Sequence, residues 1–269
     1  MKKIFYDSRR TPYCVMAVII LLLPQILLAG PGSKRMFGAI GGARSSCVEL
    51  TSSAAPAWPL PVAYWKFNET SGTSFIDSVG GYNGSSTGPL TAGTLARLGK
   101  AITSPYTTGG GFRSPTGPSF TTGNAYSFAI WFKMTTNTTN SRILSQGGSN
   151  GDETFFMIGA GGTNVSIRFF YNPTGATGYA NFSCASGVWC HVVGTYNGVS
   201  ADVYLNGSLH THFNVAGTSV KIPSNSGVSI GKSNGNTFEG SVDEVALWST
   251  ALNATQVRSI YDAQACESN

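Results

Sequence analysis

Two back-to-back strand-and-turn units constrain the fold of this chain more than any other feature. Residues 188–198 read V-W-C-H-V-V-G-T-Y-N-G, and residues 201–207 continue A-D-V-Y-L-N-G. Both runs are rich in β-branched and aromatic residues and close on Asn-Gly, a dipeptide that accepts positive φ at the central positions of a tight hairpin. A strand, a turn, a second strand and a second turn are therefore expected in quick succession. Further strand signals fall near 62–68, 126–134, 142–146, 154–158, 165–171, 208–213, 228–231 and 241–248. Strands this short and this regularly spaced predict an all-β sandwich or barrel. The one helix signal covers 254–262, with Asn253 as N-cap and Val257, Ile260 and Tyr261 on one face. Residues 103–124 and 137–151 are rich in Gly, Ser, Thr, Asn and Pro and are expected to be exposed loops.

Charged residues make up 11% of the chain, against roughly 25% for an average soluble domain, which suits short strands joined by many polar turns. The net charge of +5 is concentrated at the N-terminus, where Lys2, Lys3, Arg9, Arg10, Lys34, Arg35 and Arg44 face Asp7 alone. The remainder is close to neutral, so the basic stripe that a nucleic-acid partner needs is missing. A basic segment, an apolar run over 15–28 and the small residues Leu28-Ala29-Gly30 read as a signal peptide over 1–30. The apolar run is shorter than the ~20 residues of a membrane-spanning helix, so membrane association is expected only through an uncleaved signal. Arg9-Arg10 is similar to a twin-arginine signal, although the residues after it fit that route poorly. Residues 31–60, ending A-P-A-W-P-L-P at 55–61, read as a flexible linker. The chain is thus expected to be secreted or held at the cell surface.

The order of motifs over roughly 60–265 resembles the LamG-like jellyroll family of the concanavalin A-like superfamily. Residues 62–73 (V-A-Y-W-K-F-N-E-T-S-G-T) are similar to the family's opening strand, and 76–84 (I-D-S-V-G-G-Y-N-G) to its early loop. Residues 126–133 (Y-S-F-A-I-W-F-K), the W-x-H-V hairpin, S-I-G-K at 229–232, G-S-V-D-E-V-A-L-W at 240–248 and the segment 251–262 follow in the family's order. Val79-Gly80 and Asn68 depart from the usual Ser-Gly and Asp. The resemblance implies a two-sheet antiparallel jellyroll sandwich with one short C-terminal helix, formed by residues 61–266.

In such a fold the first and last strands are neighbours, so the resemblance implies a Cys47–Cys266 bridge stapling the ends of the domain. Cys184 and Cys190 lie close enough in sequence to close a small loop between them, and Cys14 would leave with the signal. The resemblance also implies a structural calcium ion tying the early loop to the final strand, with Asp77 and Asp243 as carboxylate ligands and Asn68 and Asn83 as helpers. The alternative is that Asp77 and Asp243 cap turns and accept backbone hydrogen bonds.

Glycosidases of this superfamily need two carboxylates at a set separation. Asp152-Glu153 and Asp243-Glu244 are adjacent, and neighbours on a strand are expected to point to opposite faces. No catalytic site is therefore assigned. His210 and His212 share one strand face with no third metal ligand in view, and His191 reads as structural. Trp65, Phe67, Phe128, Trp131, Trp189 and Trp248 are expected in the core, whereas Tyr82, Tyr106 and Phe112 lie in expected loops and are candidates to stack on a sugar ring. The expected function is a non-catalytic binding module for glycans or glycoproteins. The alternatives are an adhesive surface protein that binds protein partners and, behind it, a carbohydrate-active enzyme.

Overall fold

The computed structural model describes residues 47–51, 58–105, 110–120, 125–135, 141–147, 154–161, 164–171, 175–214, 226–233 and 236–265. In chain order the strands begin with β1 (Ala63–Trp65), β2 (Ser74–Phe75), β3 (Gly84–Ser86), β4 (Thr91–Leu95), β5 (Lys100–Ser104) and β6 (Phe112–Arg113). They continue with β7 (Tyr126–Met134), β8 (Ser141–Gly147), β9 (Thr154–Gly161), β10 (Asn164–Tyr171), β11 (Gly175–Ser183) and β12 (Trp189–Tyr196). The last group is β13 (Ser200–Leu205), β14 (Ser208–Asn214), β15 (Val228–Ile230), β16 (Lys232–Ser233), β17 (Asn236–Thr237) and β18 (Gly240–Trp248), followed by the helix α1 (Ala254–Gln264).

Two antiparallel sheets form the jellyroll sandwich. Sheet A has the order β14-β13-β12-β7-β18-β5-β4, with β1 also paired to β18. Sheet B has the order β11-β10-β9-β8-β15-β6-β3-β2. The first and last strands of sheet A are neighbours, Trp65 lying opposite Val245. Between the sheets pack alternate residues of facing strands, among them Phe128, Ile130, Phe132, Val192, Val245, Leu247, Phe75, Phe112, Leu144, Ile167 and Ile230.

The central strands of sheet A are buried on both faces, which explains their near-continuous hydrophobic runs. A second cluster of Leu50, Trp58, Tyr64, Ala129, Val193, Tyr204, Ala246, Trp248, Val257 and Ile260 fills the space beneath α1. The helix starts where expected: Asn253 accepts from the Gln256 amide at 3.0 Å while the Gln256 side chain accepts from the Asn253 amide at 2.9 Å, a reciprocal capping box.

Leu50 and Trp58 correct the expected linker over 31–60. Both are buried in the helix-side cluster, the Val48 amide donates to the Ala263 carbonyl, and Pro59 accepts from the Trp248 indole. The compact unit begins at Arg44 rather than at 61. Prolines opposed regular structure in this segment without preventing its apolar side chains from packing. The expected signal peptide lies outside the described residues. Among those residues no helix is long and apolar enough to cross a membrane.

The double hairpin forms with two different turns. The second has positive φ at both Asn206 (49°) and Gly207 (76°), as Asn-Gly favours. The first spans three residues, with Asn197 Oδ1 accepting from the amides of Val199 and Ser200 and Gly198 alone at positive φ. Trp189, expected in the core, is only half-buried and carries the Lys133 ammonium over its ring. Cys184 and Cys190 are bonded to each other. Cys47 is also disulfide-bonded, while residue 266, its expected partner, lies outside the described residues.

Candidate functional site

Asp77 is the hub of the early loop. Its Oδ1 accepts from the amides of Tyr64 at 2.8 Å and Val79 at 3.0 Å, and its Oδ2 from those of Gly80 at 3.1 Å and Tyr82 at 3.0 Å. Asn83 Oδ1 receives the Asp77 amide at 2.9 Å. Asn68 Oδ1 receives the Lys100 amide at 2.7 Å. These oxygens face N–H dipoles, whose positive ends oppose a cation. The residues therefore do not fit the calcium site expected of them.

Asp243 does not share a site with Asp77 either. Trp65 bridges to Asp77 on one side and pairs with Val245 on the other, so β1 lies between the two segments. Two strand spacings, about 10 Å in total, separate their backbones. Asp243 Oδ2 accepts from the amides of Arg97 at 3.0 Å and Leu98 at 2.9 Å, capping the turn between β4 and β5.

A β-bulge changes the reading of Asp243-Glu244. The register of β18 against β7 shifts by one residue between Asp243 and Ala246, with Glu244 at φ 52°, a conformation that bulges usually fill with glycine. Val242 and Val245 both face the inter-sheet core, and the extra residue lets Asp243 and Glu244 share the opposite, helix-facing side. The expectation that they point apart was wrong. Glu244 Oε2 accepts from the Tyr64 hydroxyl and from Gln264 Nε2 at 2.7 Å, and Gln264 Oε1 accepts from the Trp131 indole at 3.0 Å. The Arg97 guanidinium lies 5.0 Å from the Trp131 ring and donates to the Ala265 carbonyl.

This cluster is sealed, with Asp243 0% and Glu244 1% exposed. Burial pushes the Asp243 carboxyl up to about 8. Burial and then the neighbouring Asp243 charge raise Glu244 well above the usual carboxylate range. His191, its ring tilted against Trp131 at 4.9 Å between centroids, is pushed down to about 3 by burial. Paired acids with raised pKa values invite a catalytic reading, but no saccharide reaches acids closed beneath α1.

The expected stacking aromatics divide. Phe112 is corrected: it forms part of β6, is 1% exposed, and packs edge-on against Trp65, Phe67 and Phe75. Tyr106 lies outside the described residues. Tyr82 is half-buried against the core, and its amide and carbonyl are committed to Asp77 and to the Trp65 indole.

α1 covers the outer face of sheet A, whereas the outer side of sheet B carries exposed residues on β2, β3 and β6. Strand register places Ser74, Ser85, Arg113, Ser229 and Ser145 opposite one another across five adjacent strands. Their inward neighbours Phe75, Phe112, Ile230 and Leu144 belong to the core, so the row faces away from it. Ser74, Ser85 and Arg113 are exposed, whereas Ser229 and Ser145 are recessed at 8% and 2% exposure. A second register row brings Arg142, Gly159, Ser166 and Asn181 together. Sequence reasoning missed this surface, because its residues come from distant segments and carry no local motif.

The family model of the concanavalin A-like lectin/glucanases superfamily matches residues 107–258, more than half of the chain. The chain belongs to that superfamily. No curated protein sequence matches it. Among solved structures, the binding domain of botulinum neurotoxin serotype D is similar with a TM-score of 0.61 and 14% identity, over 76% of this chain and 52% of that one. The serotype G binding domain has a TM-score of 0.60 at 14% identity, over 76% and 51%. Domain 4 of AbnA, a GH43 extracellular arabinanase from Geobacillus stearothermophilus solved in complex with arabinotriose, has a TM-score of 0.54 at 21% identity, over 75% and 98%. The chain therefore spans about half the length of the toxin binding domains and nearly all of the arabinanase domain. At these identities the likeness is one of fold.

Proposed function

We propose that this chain is an exported, non-catalytic module that binds glycans or glycoproteins on the open face of sheet B. The observation that carries this reading is the contrast between the two outer sheet faces. One is sealed by α1, and the other presents the exposed hydroxyls of Ser74 and Ser85 with the exposed Arg113 guanidinium on the next strand. Saccharide recognition needs directed hydrogen-bonding groups on a pre-formed surface, and strands hold such groups more rigidly than loops do. The similar structures support the reading: they include the receptor-binding domain of botulinum neurotoxin type G and an arabinanase domain in complex with arabinotriose. The sealed Asp243-Glu244 pair supports the absence of glycosidase chemistry.

A second reading rests on Ile76 and Val79, which are exposed on the loop that Asp77 braces. Apolar side chains on a rigid loop suit a protein partner, as an adhesive surface protein would require. A glycan array probed with and without chelator tests the two readings. Glycan binding that survives chelation is expected, because backbone amides already fill the Asp77 carboxylate. No glycan bound in either condition, together with capture of a protein from cell extracts, would overturn the first reading in favour of the second.

A further inference from the structure

Arginine is the only ionisable residue type among Asp, Glu, Lys and Arg on the eight strands of sheet B. Those strands carry Arg113, Arg142 and Arg168 and contain no aspartate or glutamate. The acids of sheet A are Asp202, Asp243 and Glu244. The strands of sheet A also carry Lys100 and Lys133, and the compact unit from Arg44 onward has balanced charge, so freedom from acids is a property of the strands of sheet B and not of the domain as a whole.

Arg113 stands in the middle of the hydroxyl row, between Ser85 on one neighbouring strand and Ser229 on the other. It is exposed, and among the described residues no carboxylate pairs with it. The ion pairs Lys66–Glu49, His212–Asp202 and Arg258–Asp262, formed among the described residues, do not involve it. A guanidinium offers two parallel N–H donors matched to a carboxylate or sulfate. The serines beside it can donate to or accept from ring hydroxyls. Ser85 and Ser74 are exposed on the two strands next to Arg113, so a sugar ring seated over them would bring its acidic substituent against the guanidinium.

We infer that the sheet B face reads anionic saccharides, those bearing a carboxylate or sulfate, with Arg113 as the residue that holds the acidic group. This rests on the glycan-binding reading proposed above and names the class of glycan. A nucleic acid is the competing polyanion. The nearly balanced charge of the unit favours a saccharide, because nucleic-acid affinity comes chiefly from neutralising many phosphates.

The test uses the full chain and its R113Q variant, whose exposed side chain can change without disturbing the core. Binding is measured by calorimetry against an oligogalacturonate, its methyl-esterified neutral form, a sulfated neutral oligosaccharide and a single-stranded DNA oligonucleotide. The chain is expected to bind the uronate or the sulfated sugar at least about tenfold more tightly than the neutral form, a preference that R113Q abolishes; a single charged hydrogen bond is worth that much. Preference for the carboxylate over the sulfate, or the reverse, identifies the acidic group. Equal binding of charged and neutral sugars, unaffected by R113Q, would overturn the inference and leave the glycan reading standing. Equal or tighter binding of DNA would also overturn it. No sugar bound here and none on the array would overturn both.

Discussion

Replacing Asp77 with alanine is expected to destabilise the fold by about 3–5 kcal/mol, since a net 1.5–3 kcal/mol is typical of one hydrogen bond to a charged group and the lost bonds partly rehydrate. Four backbone amides converge on this one carboxylate, from β1 and from the loop after β2. Against a total of about 5–15 kcal/mol for a typical domain, the change is large. Asparagine does not restore the hub, because its amide nitrogen would present hydrogens to two of the N–H groups. Urea unfolding of the wild-type and D77A chains, each with and without chelator, measures the effect. The same loss in both conditions is expected. A loss confined to the chelator-free samples would mean that the carboxylate acts through a bound cation.

A second large effect is expected from pH. Asp243 titrates near 8 in the folded chain against 3.8 in the unfolded one, and Glu244 is raised as well. The folded state thus retains protons that the unfolded chain has released, so stability falls as pH rises toward about 8. His191 acts with the opposite sign. It is pushed down to about 3 from 6.5, and its opposing contribution to the slope has halved at pH 6.5 and is nearly gone by about pH 7.5. Between about pH 6.5 and 8 the acid pair therefore dominates the slope among these groups. The polar groups packed around it are Tyr64, Arg97, Gln264 and Trp131, with Glu49 and Lys66 at the margin.

D243N mimics the protonated acid and is expected to flatten this slope and to stabilise the chain at pH 8. At about 1.4 kcal/mol per pKa unit, half of the displacement from 3.8 to about 8 amounts to roughly 3 kcal/mol. Half is appropriate because a carboxamide replaces the bonds from Arg97 and Leu98 imperfectly. Chemical unfolding at pH 6.5, 7.25 and 8 reads the effect directly. A wild-type stability that rises across this window would show the pair to be ionised in the fold.

Much of the architecture was legible because it rests on local signals. The hairpin from 189 to 214, the strand Tyr126–Met134 and the capped C-terminal helix each announce themselves by alternation, turn residues or an N-cap. The misses have equally physical causes. Phe112 sits in a two-residue strand inside a Gly- and Pro-rich stretch, where long-range pairing and not local propensity makes the strand. Leu50 and Trp58 pack beneath α1 from a segment whose prolines signalled only irregular backbone. The bulge at Glu244 had no residue signal, since glutamate is an unusual choice for positive φ. Without that bulge, adjacent acids on a strand do point apart. The open face was hidden for a different reason: Ser74, Ser85, Arg113, Ser145 and Ser229 become neighbours only through the strand order of sheet B. The absence of acids on those strands is plain in the sequence once that order is known.

The most direct test of binding on sheet B is an amide chemical-shift titration of the isotopically labelled chain with oligogalacturonate. The largest shifts are expected at Ser74, Ser85 and Arg113, with Trp131, Glu244 and Gln264 on the helix side of sheet A unmoved. Shifts confined to residues 76–83, or to the helix-covered face of sheet A, would contradict it.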